Sequence, residues 1–485
     1  MLRFFAVRTA TGLHVYGRNI RCEPASLIVQ CRLSGGRRLE VTSRGDLGLG
    51  MIPTMSSPTA PAIGAVTVGE RFLAGAIMLL LVVHVPGFSL VPIAVFPALF
   101  LAVPFFHSAP LAARRLAAAT AVALISGAIV AGVTTSMGNR TSSIAVWGPI
   151  VLWVICIPVL VAAAAWSLRR ISVRVGVLLM LAGGIASSAI ASFEWKGTLG
   201  IFATAFLLVL FAGRGFMSFI ALGAVLVLSA TNDARSMAVA AAASLLVQWI
   251  LRERRKPRGS VQRAVRIMVI GAVAAGLAVW AMASGVAGQQ VQARTLDQLE
   301  KANPLFGVRA EWAATTALAE SHPFGFGVGV APSDSAIGEG ILAVRAAGGD
   351  WTSRYFSNVV FGERVDLHST LANLWFHFGI GGVVVAIVVG VILFRGVRDA
   401  ADSARVFGMG GIFLMLMGIW DLFFSPMADV GRIIAAIAVA FAVADIRGRA
   451  RAAARAVSEQ MTNVPDEKTP EVRTSIRREL SGGLN

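Results

Sequence analysis

At 485 residues, 56% of them hydrophobic and 14% charged, the chain has a mean hydropathy of +0.74, which places it among polytopic membrane proteins. Its net charge of +17 would suit a nucleic-acid binder. The basic residues, however, cluster between hydrophobic segments and in the tails, with no basic stripe interleaved with aromatics, and this argues against that class. The three cysteines, Cys22, Cys31 and Cys156, form no CxxC pair, so neither a disulfide framework nor a zinc site is expected.

Residues 1–60 hold eight arginines against three acids and no helical periodicity. No apolar run followed by a small-residue cleavage site marks a secretory signal. Two readings stay open: a disordered cytoplasmic tail, or residues upstream of a true start at Met51 or Met55. From there to residue 283 come nine apolar spans near bilayer length: 70–86, 88–106, 116–133, 144–165, 171–190, 197–212, 215–231, 236–251 and 264–283. Three more follow at 370–394, 407–424 and 428–446. The pair at 197–231 is divided only by Gly213-Arg214-Gly215, so charge placement must arbitrate. With the N-terminus inside, sixteen basic residues fall in cytoplasmic loops, against four (Arg140, Lys196, Arg235 and Arg432) in the short outer ones. The expected fold is therefore an all-α polytopic membrane protein with about twelve transmembrane helices and both termini cytoplasmic. The segment 447–485 is expected to be a disordered tail, with Arg447–Arg455 anchoring at the anionic inner leaflet.

Between spans nine and ten lies a long polar stretch, 284–369, expected on the extracytoplasmic side. Loops of this size inside a compact domain are usually functional. Ionisable groups are almost absent from mid-span positions and collect instead at the outer boundary: Glu194, Lys196, Asp233, Arg235, Asp421, Asp429 and Arg432. Three patterns stand out there. Asp233-Ala234-Arg235-Ser236 opens a helix, with Asp233 as N-cap and Arg235 in a first turn where the dipole disfavours a cation unless an anion is near. Arg309-Ala310-Glu311-Trp312 leads a short helix ended by His322-Pro323-Phe324-Gly325-Phe326-Gly327-Val328-Gly329. Those glycines mimic a nucleotide fingerprint, but no strand precedes them and no helix follows, so they read as backbone permissiveness. Finally, Asp366-Leu367-His368-Ser369-Thr370 enters the tenth span, which carries His377 two and a half turns further on.

Arg309-x-x-Trp312, the His-Pro-Phe-Gly-Phe-Gly-Val-Gly run, and His368 leading into an aromatic-rich helix that ends Gly379-Ile380-Gly381 together resemble the O-antigen ligase and O-antigen polymerase superfamily. Asp233-Ala234-Arg235-Ser236 is similar to that family's Ser-Arg motif. The resemblance covers about residues 190–395, and the first five spans only in hydropathy. Two positions depart from it: Ser369 stands where the family commonly has Asn, and His377 where it has Glu. The resemblance implies a glycosyltransferase that takes its glycan from undecaprenyl diphosphate and delivers it to a glycan, lipid or wall acceptor. Arg235 and Arg309 would grip the diphosphate, with Lys196 as a weaker third, and His368 would act as base or orienting partner for the acceptor hydroxyl. A diphosphate leaves readily without a general acid, and fixed guanidinium groups suit its growing charge. The chain has no DxD pair and no His/carboxylate cluster at ligand spacing, so neither metal nor cofactor is expected, and displacement would invert the anomeric centre. The competing class is a small-solute transporter of the same superfamily.

Overall fold

The computed structural model describes residues 5–9, 12–16, 20–25, 28–33, 38–42, 66–84, 92–100, 109–191, 195, 199–214, 216–232, 234–253, 283–285, 288–289, 292–293, 295–296, 310–362, 365–400, 404–426 and 430–462. The expected ninth span but for its last residue, most of the second, and Lys196, Asp233 and Arg309 lie outside them. Contacts divide the chain into two units: residues 1–64 with 452–485, and residues 65–451.

Where the sequence reading expects an irregular tail, the first unit has short antiparallel strands. Phe5–Thr9 (β1) pairs with Gly12–Tyr16 (β2). Ile20–Ala25 (β3), Ile28–Leu33 (β4) and Arg38–Thr42 (β5) form a three-stranded sheet whose register sets Cys22 opposite Cys31. The alternation of Arg38-Leu39-Glu40-Val41-Thr42 has the period of a strand, which a search for helical spacing passes over.

The second unit is helical. Val68–Leu80 (α1) opens on a capping box: Thr67 Oγ1 accepts the Glu70 amide at 3.1 Å, and Glu70 Oε2 accepts the Thr67 amide at 2.9 Å. Val95–Phe100 (α2), Leu111–Ser136 (α3), Ile144–Leu168 (α4) and Val173–Ala191 (α5) follow. Then come Gly200–Leu210 (α6), Phe216–Thr231 (α7) and Arg235–Glu253 (α8). The insecure division at 213–215 is thus a break between two helices, turned by Gly213 at φ +78°. Within the long loop lie Ala310–Ser321 (α9) and Asp334–Ala346 (α10). Thr370–Ala400 (α11), Ala404–Phe424 (α12) and Val430–Thr462 (α13) complete the described helices. The last of these carries helix past Ile446 through the Ala/Arg-rich stretch expected to be tail, since both residues are strong helix formers. Among the described residues, five segments are long and apolar enough to cross a membrane: α3, α4, Val173–Ile190 of α5, α11 and Phe407–Phe424 of α12.

Contacts sort the helix ends into two sides. On one, Arg170 Nε lies 3.5 Å from Glu70 Oε1, and Arg174 donates to the carbonyls of Val209 (3.3 Å) and Leu210 (2.8 Å). On the other, Arg140–Thr141 (β6) pairs antiparallel with Val330–Ala331 (β7), and the Ser333 amide donates to Asn139 Oδ1 at 3.1 Å. The α3–α4 connection and the long loop therefore share one side, away from the arginine-rich turns after α4 and α6.

Small residues let the helices approach, which matters where lipid is as apolar as any side chain. A Cβ on Gly381 of α11 would meet Ala123 Cα of α3 at 2.7 Å. On α13, Ala436 and Ala440 fill the space that Gly418 of α12 and Gly396 of α11 leave open, 2.6 and 2.7 Å from where their Cβ atoms would stand.

The glycine-rich turn after α9 is a strap seated between α3 and α11. Gly325, Gly327 and Gly329 have φ of +81°, +92° and +76°. Inside α11, Gly379 takes φ +58°, which interrupts the helical bonding and frees carbonyls one turn earlier. The strap takes them up: the Phe326 and Gly327 amides donate to the Phe376 carbonyl at 2.9 and 3.1 Å. Trp375 Nε1 donates in return to the Pro323 carbonyl at 3.1 Å. On the other flank, the Val328 amide donates to the Gly127 carbonyl at 3.2 Å and the Ser142 amide to that of Gly329 at 2.7 Å. These glycines serve close backbone approach, although a helix, α10, does begin at Asp334, where the sequence reading expects none to follow them.

His322, at the head of the strap, stacks on Phe326 with ring centroids 4.2 Å apart. Burial pulls its pKa below the usual 6.5, against the opposing pull of Glu339. The folded ring then binds its proton less tightly than the unfolded one. Its contribution is complete above pH 6.5 and is lost as pH falls through the lowered folded value. We expect the protection of the Phe326 amide, its exchange rate relative to an unfolded amide at the same pH, to weaken on acidification below pH 6.5, and His322→Gln to flatten the dependence.

Candidate functional site

His368 is the point where the long loop becomes α11. Among the described residues it is the one non-glycine with positive φ, at +53°. A side chain in that region costs roughly 1–2 kcal/mol, and strain of this kind gathers at functional sites when the surroundings over-determine it. Here they do. The His368 amide donates to Asp366 Oδ1 at 3.0 Å, and Asn373 Nδ2 donates to the same oxygen at 2.8 Å. Asn373 Oδ1 accepts the Leu367 amide at 2.9 Å, so the first turn of α11 grips the residues on both sides of the bend. Ser369 is the N-cap: its Oγ accepts the Ala372 amide at 3.2 Å.

The half-buried His368 ring meets Tyr355 edge-on, centroids 5.6 Å apart at 81°. Tyr355 precedes a π-helical turn, Phe356–Val360, and its hydroxyl donates to Glu311 Oε1 of α9 at 2.9 Å. A carboxylate, a phenol and an imidazole from three segments thus stand in sequence at the end of α11. If this cluster is catalytic, Tyr355→Phe, which keeps the ring but releases Glu311, should slow turnover about tenfold, the effect of about 1.4 kcal/mol, with the fold retained. Unchanged turnover in that variant would remove the phenol from the site.

Beneath His368 lies a second cluster. Asp421 of α12 and Arg432 of α13 are both buried, with Oδ2 and Nε 3.1 Å apart. Asp421 Oδ1 accepts the Ser425 hydroxyl at 2.6 Å. Arg432 stands in the first turn of α13, a disfavoured place for a cation, and Asp421 supplies the compensating anion. The anion that a first-turn arginine calls for is thus present at Arg432.

Of the sequence-predicted site residues, His368 is fully placed. Arg235 is the first residue of α8, and only its backbone is described; Arg309 and Lys196 fall outside the described residues. His377 is buried on α11, edge-on to Phe376 at 4.8 Å. It lines a cavity of about 10 Å³ with Ser142, Trp147, Gly329 and Val365. Among the described residues no group of three or more His, Cys, Asp or Glu is disposed to hold a metal. Sequence reasoning missed Tyr355, although it is one of two tyrosines in a chain with 27 phenylalanines, where a hydroxyl is an unusual choice.

Compared with known proteins, the chain matches no family model and no curated sequence. The likeness to O-antigen ligases and polymerases rests on the motifs alone.

Proposed function

We propose that this is a membrane glycosyltransferase that moves or polymerises a glycan from an undecaprenyl-diphosphate-linked donor at the extracytoplasmic face. The observation that carries the reading is His368, held in a left-handed bend by Asp366 and Asn373 and faced by the Tyr355–Glu311 pair. The bend fixes where the imidazole leaves the backbone, and Tyr355 meets its ring edge-on, which suits a proton acceptor at the mouth of the loop.

In this mechanism the His368 imidazole takes the proton of the acceptor hydroxyl as its oxygen attacks the anomeric carbon from the face opposite the diphosphate. The new glycosidic bond forms, the bond from anomeric carbon to phosphate oxygen breaks, and its electron pair leaves with the diphosphate. Arg309 and Arg235 neutralise that charge, with Lys196 contributing. Fixed guanidinium groups remain charged at any working pH and bind phosphate oxygens in pairs, so the account needs no metal. The anomeric centre inverts.

The finer topology belongs to the same proposal: twelve spans, both termini cytoplasmic, and 284–369 outside. The contacts that set the α3–α4 connection beside the long loop, opposite the arginine-rich turns, agree with it. The test is gene deletion followed by lipid analysis. Accumulation of single lipid-linked repeat units marks a polymerase, and accumulation of lipid-linked polymer without attachment marks a ligase. An unchanged lipid-linked pool contradicts the assignment.

A further inference from the structure

We propose that the Asp421–Arg432 ion pair is a positioning device for His368, acting through the hydroxyls at the start of α11. This deepens the function proposed above, and its kinetic arm rests on that reading.

The last carbonyls of a helix have no partner within it and need donors from elsewhere. At the end of α12 two of those donors come from the residues that directly follow His368. Ser369 Oγ donates to the Leu422 carbonyl at 3.3 Å, and Thr370 Oγ1 reaches the Ser425 carbonyl at 3.4 Å, all four residues being buried. Ser369 is thus held from two directions, as N-cap of its own helix and as C-terminal donor to its neighbour. The position of the α12 terminus therefore sets the position of the bend.

That terminus is fixed in turn by the ion pair. Asp421 lies one residue before Leu422 and holds Ser425 by its hydroxyl, while Arg432 ties the same carboxylate to the first turn of α13. The Arg432 and Asp421 side chains are only 7% and 1% exposed. A pair this buried gives little net stability over an apolar replacement, yet losing one partner leaves a charge stranded. Such a pair is expensive for a plain clamp and well suited to a device that defines one geometry. Three helices, α11, α12 and α13, meet at this corner, and His368 is the residue that leaves it toward the loop.

The test uses the full chain in lipid nanodiscs and two readouts. The first is the rate at which diethyl pyrocarbonate modifies His368, followed by mass spectrometry with His322 as internal reference. The second is turnover against the Michaelis constant for the lipid-linked donor. Thr370→Val and Ser425→Ala each remove one hydroxyl and keep the ion pair. The double change Asp421→Asn with Arg432→Gln removes both charges without stranding either. In all three we expect His368 labelling to shift while His322 labelling holds. Turnover should fall, on the order of 100-fold for the double variant, with the donor constant unchanged, as displacement by about an ångström would produce. Lowered melting temperatures with wild-type His368 labelling would overturn the proposal and leave the pair a clamp. A wild-type protein that transfers no glycan would defeat the assigned reaction, and the labelling arm would still decide the positioning role.

Discussion

His368→Ala and Arg309→Ala should each abolish glycan transfer while leaving membrane insertion intact. The two losses have different physical origins. Removing the imidazole takes away the proton acceptor and should cost about a thousandfold in turnover. Removing a guanidinium leaves developing diphosphate charge without its fixed counter-charge, a loss on the order of 100- to 1000-fold. The His368 variant has a further signature. The bend is held by the His368 backbone amide, Asp366 and Asn373, all of which the variant retains. The folded yield should therefore match wild type, and His368→Asn, which tolerates the left-handed bend, should be as inactive and as well folded. Full activity in either alanine variant would remove that residue from the site.

Gly327→Ala should fail in the opposite manner, through folding. At φ +92° a side chain is disfavoured by about 1–2 kcal/mol, and the added methyl would drive into the Ala131 backbone of α3. Relief by movement would release the amides that satisfy the Phe376 carbonyl. Together with an overpacking cost of about 1–3 kcal/mol, the loss is about 3 kcal/mol. Gly338, beside which a Cβ meets nothing within 4 Å, serves as control: Gly338→Ala should leave thermal stability in detergent unchanged or slightly raised. Equal melting temperatures for Gly327→Ala and wild type would show that the strap does not depend on that close approach.

What the sequence makes legible is what has local periodicity. The fourth expected span, 144–165, begins where α4 begins, because an uninterrupted apolar run can be little else. The strap is equally readable, since glycine at every second position after proline is incompatible with either helix or strand. Shorter elements depart from the reading. The spans expected at 70–86 and 197–212 hold described helices of 13 and 11 residues, for composition measures apolar length and not where backbone bonding stops. The strands over 5–42 carry no helical period, and short alternations such as Arg38–Thr42 are the trace they leave in the sequence. The site is legible only at its anchor. His368 announces itself by standing where a long loop meets an apolar helix. Tyr355 lies thirteen positions upstream in no motif, and its tie to Glu311 spans 44 residues. Asp421 and Arg432 were visible as boundary charges, but nothing in their spacing declares that they pair, because the chain turns between them.

The most direct test of the central claim is made with purified protein in liposomes holding an undecaprenyl-diphosphate-linked glycan, an acceptor glycan and an entrapped solute indicator. The account predicts that the lipid-linked glycan is consumed, that the product has the inverted anomeric configuration, and that no solute flux accompanies it. Steady solute flux with the lipid-linked glycan untouched would contradict it and return the chain to the transporter class.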